Sequence, residues 1–258
     1  MPRFFIRGDQ VDGDVVTVLG EDAHHISRSL RMAAGERITV CDMQKNEYEC
    51  ELTEFLPDRV KARIVTRMHA DTEPPYVAQV FQALPKGDKL DAIIQKAVEC
   101  GASELTVFES ERCVARIKDA AEDKKLERRR RIATEAAKQC GRGVLPTVHP
   151  SCRFDEAVKI AAKADVPLFC YEGDGTEPLP RALKNCLRAW REKGNVEAMP
   201  TVSVMIGSEG GFSLDEVARA KDAGMIPVGL GKRILRTETA ASFVLSCLSY
   251  ELELSNEA

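Results

Sequence analysis

Two glycine-bearing segments, each directly behind an apolar run that reads as a β-strand, carry the residues best placed for chemistry. They are Ile206-Gly207-Ser208-Glu209-Gly210-Gly211 and Gly229-Leu230-Gly231-Lys232-Arg233-Ile234-Leu235-Arg236. In an open α/β sheet, ligands bind outside the carboxyl ends of the strands, and glycine there lets the backbone come close to them. One glycine pair alone reads as an ordinary strand-to-helix turn. Two such loops in tandem predict a single ligand pocket.

The common nucleotide and hydrolase motifs do not fit these loops. No G-x-x-x-x-G-K-[ST] occurs, and the second loop lacks the third glycine of the dinucleotide fingerprint. Ser208 does not make a nucleophile elbow, because Ile206 stands where G-x-S-x-G needs glycine. There is no H-E-x-x-H, and His24, His25, His69 and His149 lack metal-ligand spacing. The nine cysteines run from Cys41 to Cys247 without a C-x-x-C pair, so they predict reduced, mostly structural thiols rather than a zinc or redox centre.

The elements that must position the loops follow from hydrophobic periodicity. Residues 1 to about 70 show short apolar stretches, Val15–Leu19, Arg37–Val40 and Val60–Val65, separated by turn signals such as Asp12-Gly13-Asp14 and Pro57-Asp58. That pattern predicts a small β-barrel with one helix, around Asp22 to Leu30. Asp71-Thr72-Glu73-Pro74-Pro75 can continue neither a strand pairing nor a helix, which places a domain boundary there, with domains at 1–72 and 73–258.

Beyond the boundary, strands alternate with helical runs, the pattern of a parallel sheet flanked by helices. Strands are predicted at Tyr76–Leu84, Glu104–Phe108, Pro167–Tyr171, Thr201–Ile206 and Ile226–Leu230. Leu90, Ile93, Ile94, Ala97 and Val98 fall at helical spacing before Gly101. Ser213 with Glu216 forms a capping box for a helix that Gly224 closes, and Ala240, Ala241, Val244, Leu245 and Leu248 form the apolar face of the last helix.

The chain has 258 residues, 44% of them hydrophobic, enough for a sizeable core. No run of eighteen apolar residues occurs and the apolar stretch near Met1 is too short for a signal peptide, so a cytoplasmic protein is expected. A net charge of -4 and a pI of about 5.7 argue against coating nucleic acid through bulk positive charge. Any RNA contact must be local. Residues 118–142 hold nine Lys/Arg against five Asp/Glu, a local excess of +4, which reads either as an RNA-facing patch or as a solvated helix face laced with ion pairs.

The two loops, extended to Phe212-Ser213 and to Thr237-Glu238-Thr239-Ala240-Ala241, resemble the signature segments of the RsmE family, the ribosomal RNA uracil-N3 methyltransferases of the SPOUT superfamily. Leu84-Pro85-Lys86-Gly87-Asp88-Lys89, Gln139-Cys140-Gly141-Arg142 and His24 through Arg31 are similar as well, so the resemblance spans nearly the whole chain. Ser208 departs from the family's usual proline, which bears on loop rigidity. The resemblance implies a trefoil-knotted SPOUT domain behind a PUA-like barrel, S-adenosyl-L-methionine as cofactor, a homodimer with a shared active site, and small-subunit (16S) ribosomal RNA as partner.

It further implies that Tyr171, Glu172, Gly207, Glu209, Gly210, Leu230, Gly231, Ile234 and Leu235 hold the cofactor. Uracil N3 carries a proton near neutral pH, so its methylation needs a base and a cation for the anion left on the carbonyl oxygens. Glu238 or Glu209 is the expected base and Arg236 or Arg142 the expected cation, although Glu238 also reads as a helix-start carboxylate favoured by the dipole. Arg28, Arg31, Arg128, Arg129, Arg131 and Arg142 are expected to contact RNA. Two rival readings are a SPOUT enzyme acting on another RNA and a non-catalytic ribosome-assembly protein that keeps only the fold.

Overall fold

In the computed structural model, which describes residues 1–117, 119–194 and 198–256, the chain forms two units. One comprises Met1–Glu73 with Ala137–Leu145, the other Pro74–Ala136 with Pro146–Ala258. Lys118, the first cation of the basic stretch, lies outside the described residues.

In the first unit, β1 (Arg3–Phe5), β2 (Val11–Asp12), β3 (Val15–Leu19), β4 (Arg37–Cys41), β5 (Asn46–Phe55) and β6 (Arg59–His69) form a sheet of order β1-β4-β5-β6-β3-β2. All pairs are antiparallel except β1 with β4. Alternation explains it: Val16, Val18, Cys50, Leu52, Val60 and Ala62 point inward, with Phe4, Ile26 and Ile38 filling the core. The predicted helix is regular only over α1 (Gly20–His24) and widens to a π turn at His25–Ser29, closed by the Leu30 amide on the His25 carbonyl at 2.9 Å. Arg31 follows at φ 52°.

The first unit also takes in residues 137–145, which no local sequence signal indicates. Arg142 explains this and corrects its expected roles. Its guanidinium is 5% exposed and grips Glu73, with Nη2 2.6 Å from Oε2, while the amides of Gly143 and Val144 donate to Glu73 Oε1 at 3.0 and 3.2 Å. A cation held this way is a structural staple, not a free catalytic or phosphate-binding group.

In the second unit, β7 (Val77–Ala83), β8 (Glu104–Glu109), β9 (Thr147–Val148), β10 (Cys152–Arg153), β11 (Val166–Cys170), β12 (Glu177–Pro178), β13 (Thr201–Ile206) and β14 (Ile226–Gly229) form the predicted parallel sheet. Its order is β10-β8-β7-β13-β11-β14-β12, with β9 beside β8. The central strands β11 and β13 are almost continuously buried, as strands covered on both faces must be. The helices are α2 (Lys89–Glu99), α3 (Glu122–Cys140), α4 (Phe154–Ala161), α5 (Leu179–Glu192), α6 (Leu214–Asp222) and α7 (Thr237–Leu252). α6 carries the predicted capping box, in which the Glu216 amide donates to Ser213 Oγ at 3.2 Å and the Ser213 amide to Glu216 Oε2 at 2.9 Å. The apolar face of α7 is buried, and α7 packs on α2. Among the described residues no helix is long and apolar enough to cross a membrane.

Candidate active site

Both glycine loops open at the carboxyl ends of central strands and line one cleft of about 590 Å³, together with the segment after β11. The first loop turns where the Gly211 amide donates to the Ser208 carbonyl at 3.0 Å, with Gly211 at φ 65°. Phe212, buried beside Phe169 with ring centroids 4.3 Å apart, anchors the turn to the core. At Gly207 a Cβ would lie 3.1 Å from the Phe212 ring and 3.2 Å from Gly211 Cα, and at Gly210 one would lie 3.0 Å from Arg112 Cβ. A side chain at either position would crowd these neighbours, before any ligand is considered. In the second loop Gly231 sits at φ 100° with open space around it, and Ile234, 80% exposed, projects an uncovered apolar side chain at the cleft.

The cleft brings together Tyr171, Glu172, Gly207, Glu209, Gly210, Leu230, Gly231, Ile234, Leu235, Arg236 and Glu238. Cys170 adds an uncharged wall, its thiol pushed up to about 12 by burial. Sequence reasoning missed two cations in this lining, Lys89 and Arg112. Arg112 donates to the Gly210 carbonyl at 3.2 Å, and its own carbonyl accepts from Ser208 Oγ at 3.4 Å, so Ser208 gains a tether that a proline could not form. Lys89 lay within a segment recognised as similar to the family, but its role is invisible until the fold places α2 beside α7.

Lys89 Nζ lies 2.8 Å from Glu209 Oε1 and 3.5 Å from Glu238 Oε2, and Arg236 Nη1 lies 4.0 Å from Glu238 Oε1. Burial alone would raise the Glu209 carboxyl, but the Lys89 hydrogen bond, the Lys86 amide and the ammonium charge hold it below the usual carboxylate range. The bond to Glu209 and the two negative charges raise Lys89 above its ordinary value. Glu209 is therefore committed to closing its loop onto Lys86 and Lys89. Glu238 Oε2 is shielded from solvent, makes no closer hydrogen bond among the described residues, and has the Lys89 ammonium as its near charge, so the Glu238 carboxylate is not tied to a backbone amide as Glu209 is.

The expected RNA contacts divide. Arg28 and Arg31 are exposed, without an ion-pair partner among the described residues. On α3, Arg131 is exposed, while Arg128 is exposed but paired with Asp91. Arg129 is corrected: its side chain is 4% exposed, with Nη1 2.8 Å from Glu122 Oε1 and 2.7 Å from Ser151 Oγ, because its position turns inward as its neighbours turn out.

The pattern of the RNA methyltransferase domain family matches residues 72–249, and that of the RNA methyltransferase PUA domain matches residues 18–65. The chain is 33% identical to the ribosomal RNA small subunit methyltransferase E of Bacillus subtilis (strain 168), over 98% of each chain. It belongs to the ribosomal RNA small subunit methyltransferase E family. A solved member of that family, from Neisseria gonorrhoeae and bound to S-adenosyl methionine, superposes with a TM-score of 0.81 at 28% identity, covering 97% of this chain and 98% of that one. A methyltransferase from Legionella pneumophila in complex with bound SAM gives 0.80 at 28% identity, covering 96% and 97%. The α/β fold with its parallel sheet and N-terminal PUA-like part is thus that of the methyltransferase E family, and the chain is an RNA methyltransferase.

Proposed function

We propose that this chain transfers the methyl group of S-adenosyl-L-methionine to N3 of a specific uridine in 16S, small-subunit ribosomal RNA. The observation that carries the reading is the lining of one cleft by both glycine loops with the Glu238, Arg236 and Lys89 side chains at its edge. The cleft fits the cofactor. Ile234 is an apolar surface without protein cover, suited to a flat adenine, and the loop backbones offer polar groups to its ribose and amino-acid parts. When bound, the cofactor supplies an electrophilic methyl group on a sulfonium.

The chain's own residues supply the rest. The Glu238 carboxylate takes the N3 proton as N3 gains the methyl group, and Arg236, 81% exposed beside it, faces the charge developing on the neighbouring carbonyl oxygen. Tyr171, Gly207, Gly210, Leu230, Gly231 and Leu235 position the donor, and Glu209 keeps the first loop closed. Residues 1–72 serve as the RNA-gripping PUA-like domain and residues 73–258 as the SPOUT domain, trefoil-knotted by its glycine loops. Arg28, Arg31, Arg128 and Arg131 meet phosphates. The working form is a cytoplasmic homodimer.

The test is incubation of the protein with S-adenosylmethionine and unmodified small ribosomal subunits, followed by nucleoside mass spectrometry. One 3-methyluridine per subunit RNA is expected. A methyl group on another base or on a ribose would overturn the assignment.

A further inference from the structure

We propose that Lys89 is the positioning residue of the active site, holding the Glu238 carboxylate toward the cleft while sharing its charge with Glu209. The inference rests on the reading of Glu238 as the base. Lys89 is the first residue of α2, where the helix dipole disfavours a cation. A lysine in that place needs compensation, and the fold supplies it from two other segments: Glu209 on the first glycine loop at 2.8 Å and Glu238 on the first turn of α7 at 3.5 Å.

Two of these three segments, the first glycine loop and the start of α7, are also tied together independently of Lys89, through β7. Gln82 Nε2, at the end of β7, donates to Thr237 Oγ1 at 2.9 Å, and Thr237 Oγ1 donates to the Gly207 carbonyl at 2.7 Å, with Gln82 and Thr237 both buried. This chain of hydrogen bonds already fixes the backbones of β7, the loop and α7. Lys89 is not needed to join them. What remains for it is the direction of two carboxylate side chains. Glu209 has a further anchor in the Lys86 amide, whereas Glu238 Oε2 makes no closer hydrogen bond among the described residues and has Lys89 as its near cation. Loss of Lys89 therefore falls mainly on Glu238, which would turn toward the exposed Arg236 and leave the reacting position.

The experiment is a double-mutant cycle on the full-length protein, with Lys89→Met, Glu238→Gln and the pair, read by kcat on small subunits, KM for them, and S-adenosylmethionine affinity by calorimetry. Lys89→Met is expected to lower kcat by about 10- to 100-fold, the range that misplacement of a reacting group produces. Cofactor affinity and KM should change by less than about 3-fold, and in the Glu238→Gln background the same change should cost less than about 3-fold in kcat. Lys89→Arg, which restores a cation, should recover most of the loss and remains informative if the methionine variant does not fold. Equal losses in both backgrounds, a loss confined to cofactor affinity, or wild-type kcat in Lys89→Met would overturn the proposal. Wild-type methylation at an atom other than N3 would instead overturn the reading of the substrate, while the coupling of Lys89 to Glu238 would still be measured.

Discussion

Arg129→Gln removes one half of a pair that lies inside the second unit. The Arg129 side chain is 4% exposed and that of Glu122 14%, with 2.8 Å between Nη1 and Oε1. Taking one partner from a buried ion pair costs about 3–5 kcal/mol, since the other charge stays desolvated. The residual exposure of Glu122 and its bond from the Ser151 amide put the expected loss at the lower end, about 3 kcal/mol. For a unit of this size that lowers the melting temperature by about 6–12 °C. The pH dependence has a definite sign. Burial would raise the Glu122 carboxyl, but the Ser151 hydrogen bonds and the Arg129 charge hold it below the usual carboxylate range. Its contribution is present above the ordinary carboxylate value and disappears as pH falls through the lowered one, so wild type and variant should converge on acidification. Thermal melts at neutral and acidic pH, with RNA binding titrated against salt, measure both effects. Arg131→Gln, at an exposed position on the same helix, should leave the melt unchanged and reduce the salt slope by about 0.7–0.9. If Arg129→Gln melts like wild type yet loses that much slope, the assignment of Arg129 to the interior is wrong.

Gly210→Val should reduce S-adenosylmethionine affinity at least about 10-fold in calorimetry while circular dichroism shows an intact fold, because its Cβ would press 3.0 Å from Arg112 and push the loop into the cleft. Wild-type affinity in the folded variant would count against the site. Arg31→Gly should stabilise the first unit by about 1 kcal/mol, since glycine relieves the φ of 52°, yet weaken RNA binding; a gain in stability with unchanged binding would remove Arg31 from the RNA surface. Light scattering at micromolar concentration should report a dimer, and an active monomer at that concentration would end that part of the proposal.

What the sequence determined by itself was periodicity and local chemistry. The alternation of apolar residues around Val16 and Val60, the buried runs of β11 and β13, and the Ser213–Glu216 box specify their elements from neighbours a few residues away, so they could be read directly. The two glycine loops were legible for the same reason: each follows a strand, and a parallel sheet puts successive strand ends on one side. The basic run was legible as charge but not as geometry. Only the helix's rotation separates Arg129, facing Glu122 and Ser151, from Arg131, facing solvent. Tertiary structure alone also decided that Arg142 closes on Glu73, 69 residues away, and that Lys89 meets Glu209 and Glu238 across separations of 120 residues and more. Each of these charges is satisfied by a partner remote in sequence, and a charge found in a one-dimensional pattern carries no record of which partner the folded chain brings within about 4 Å.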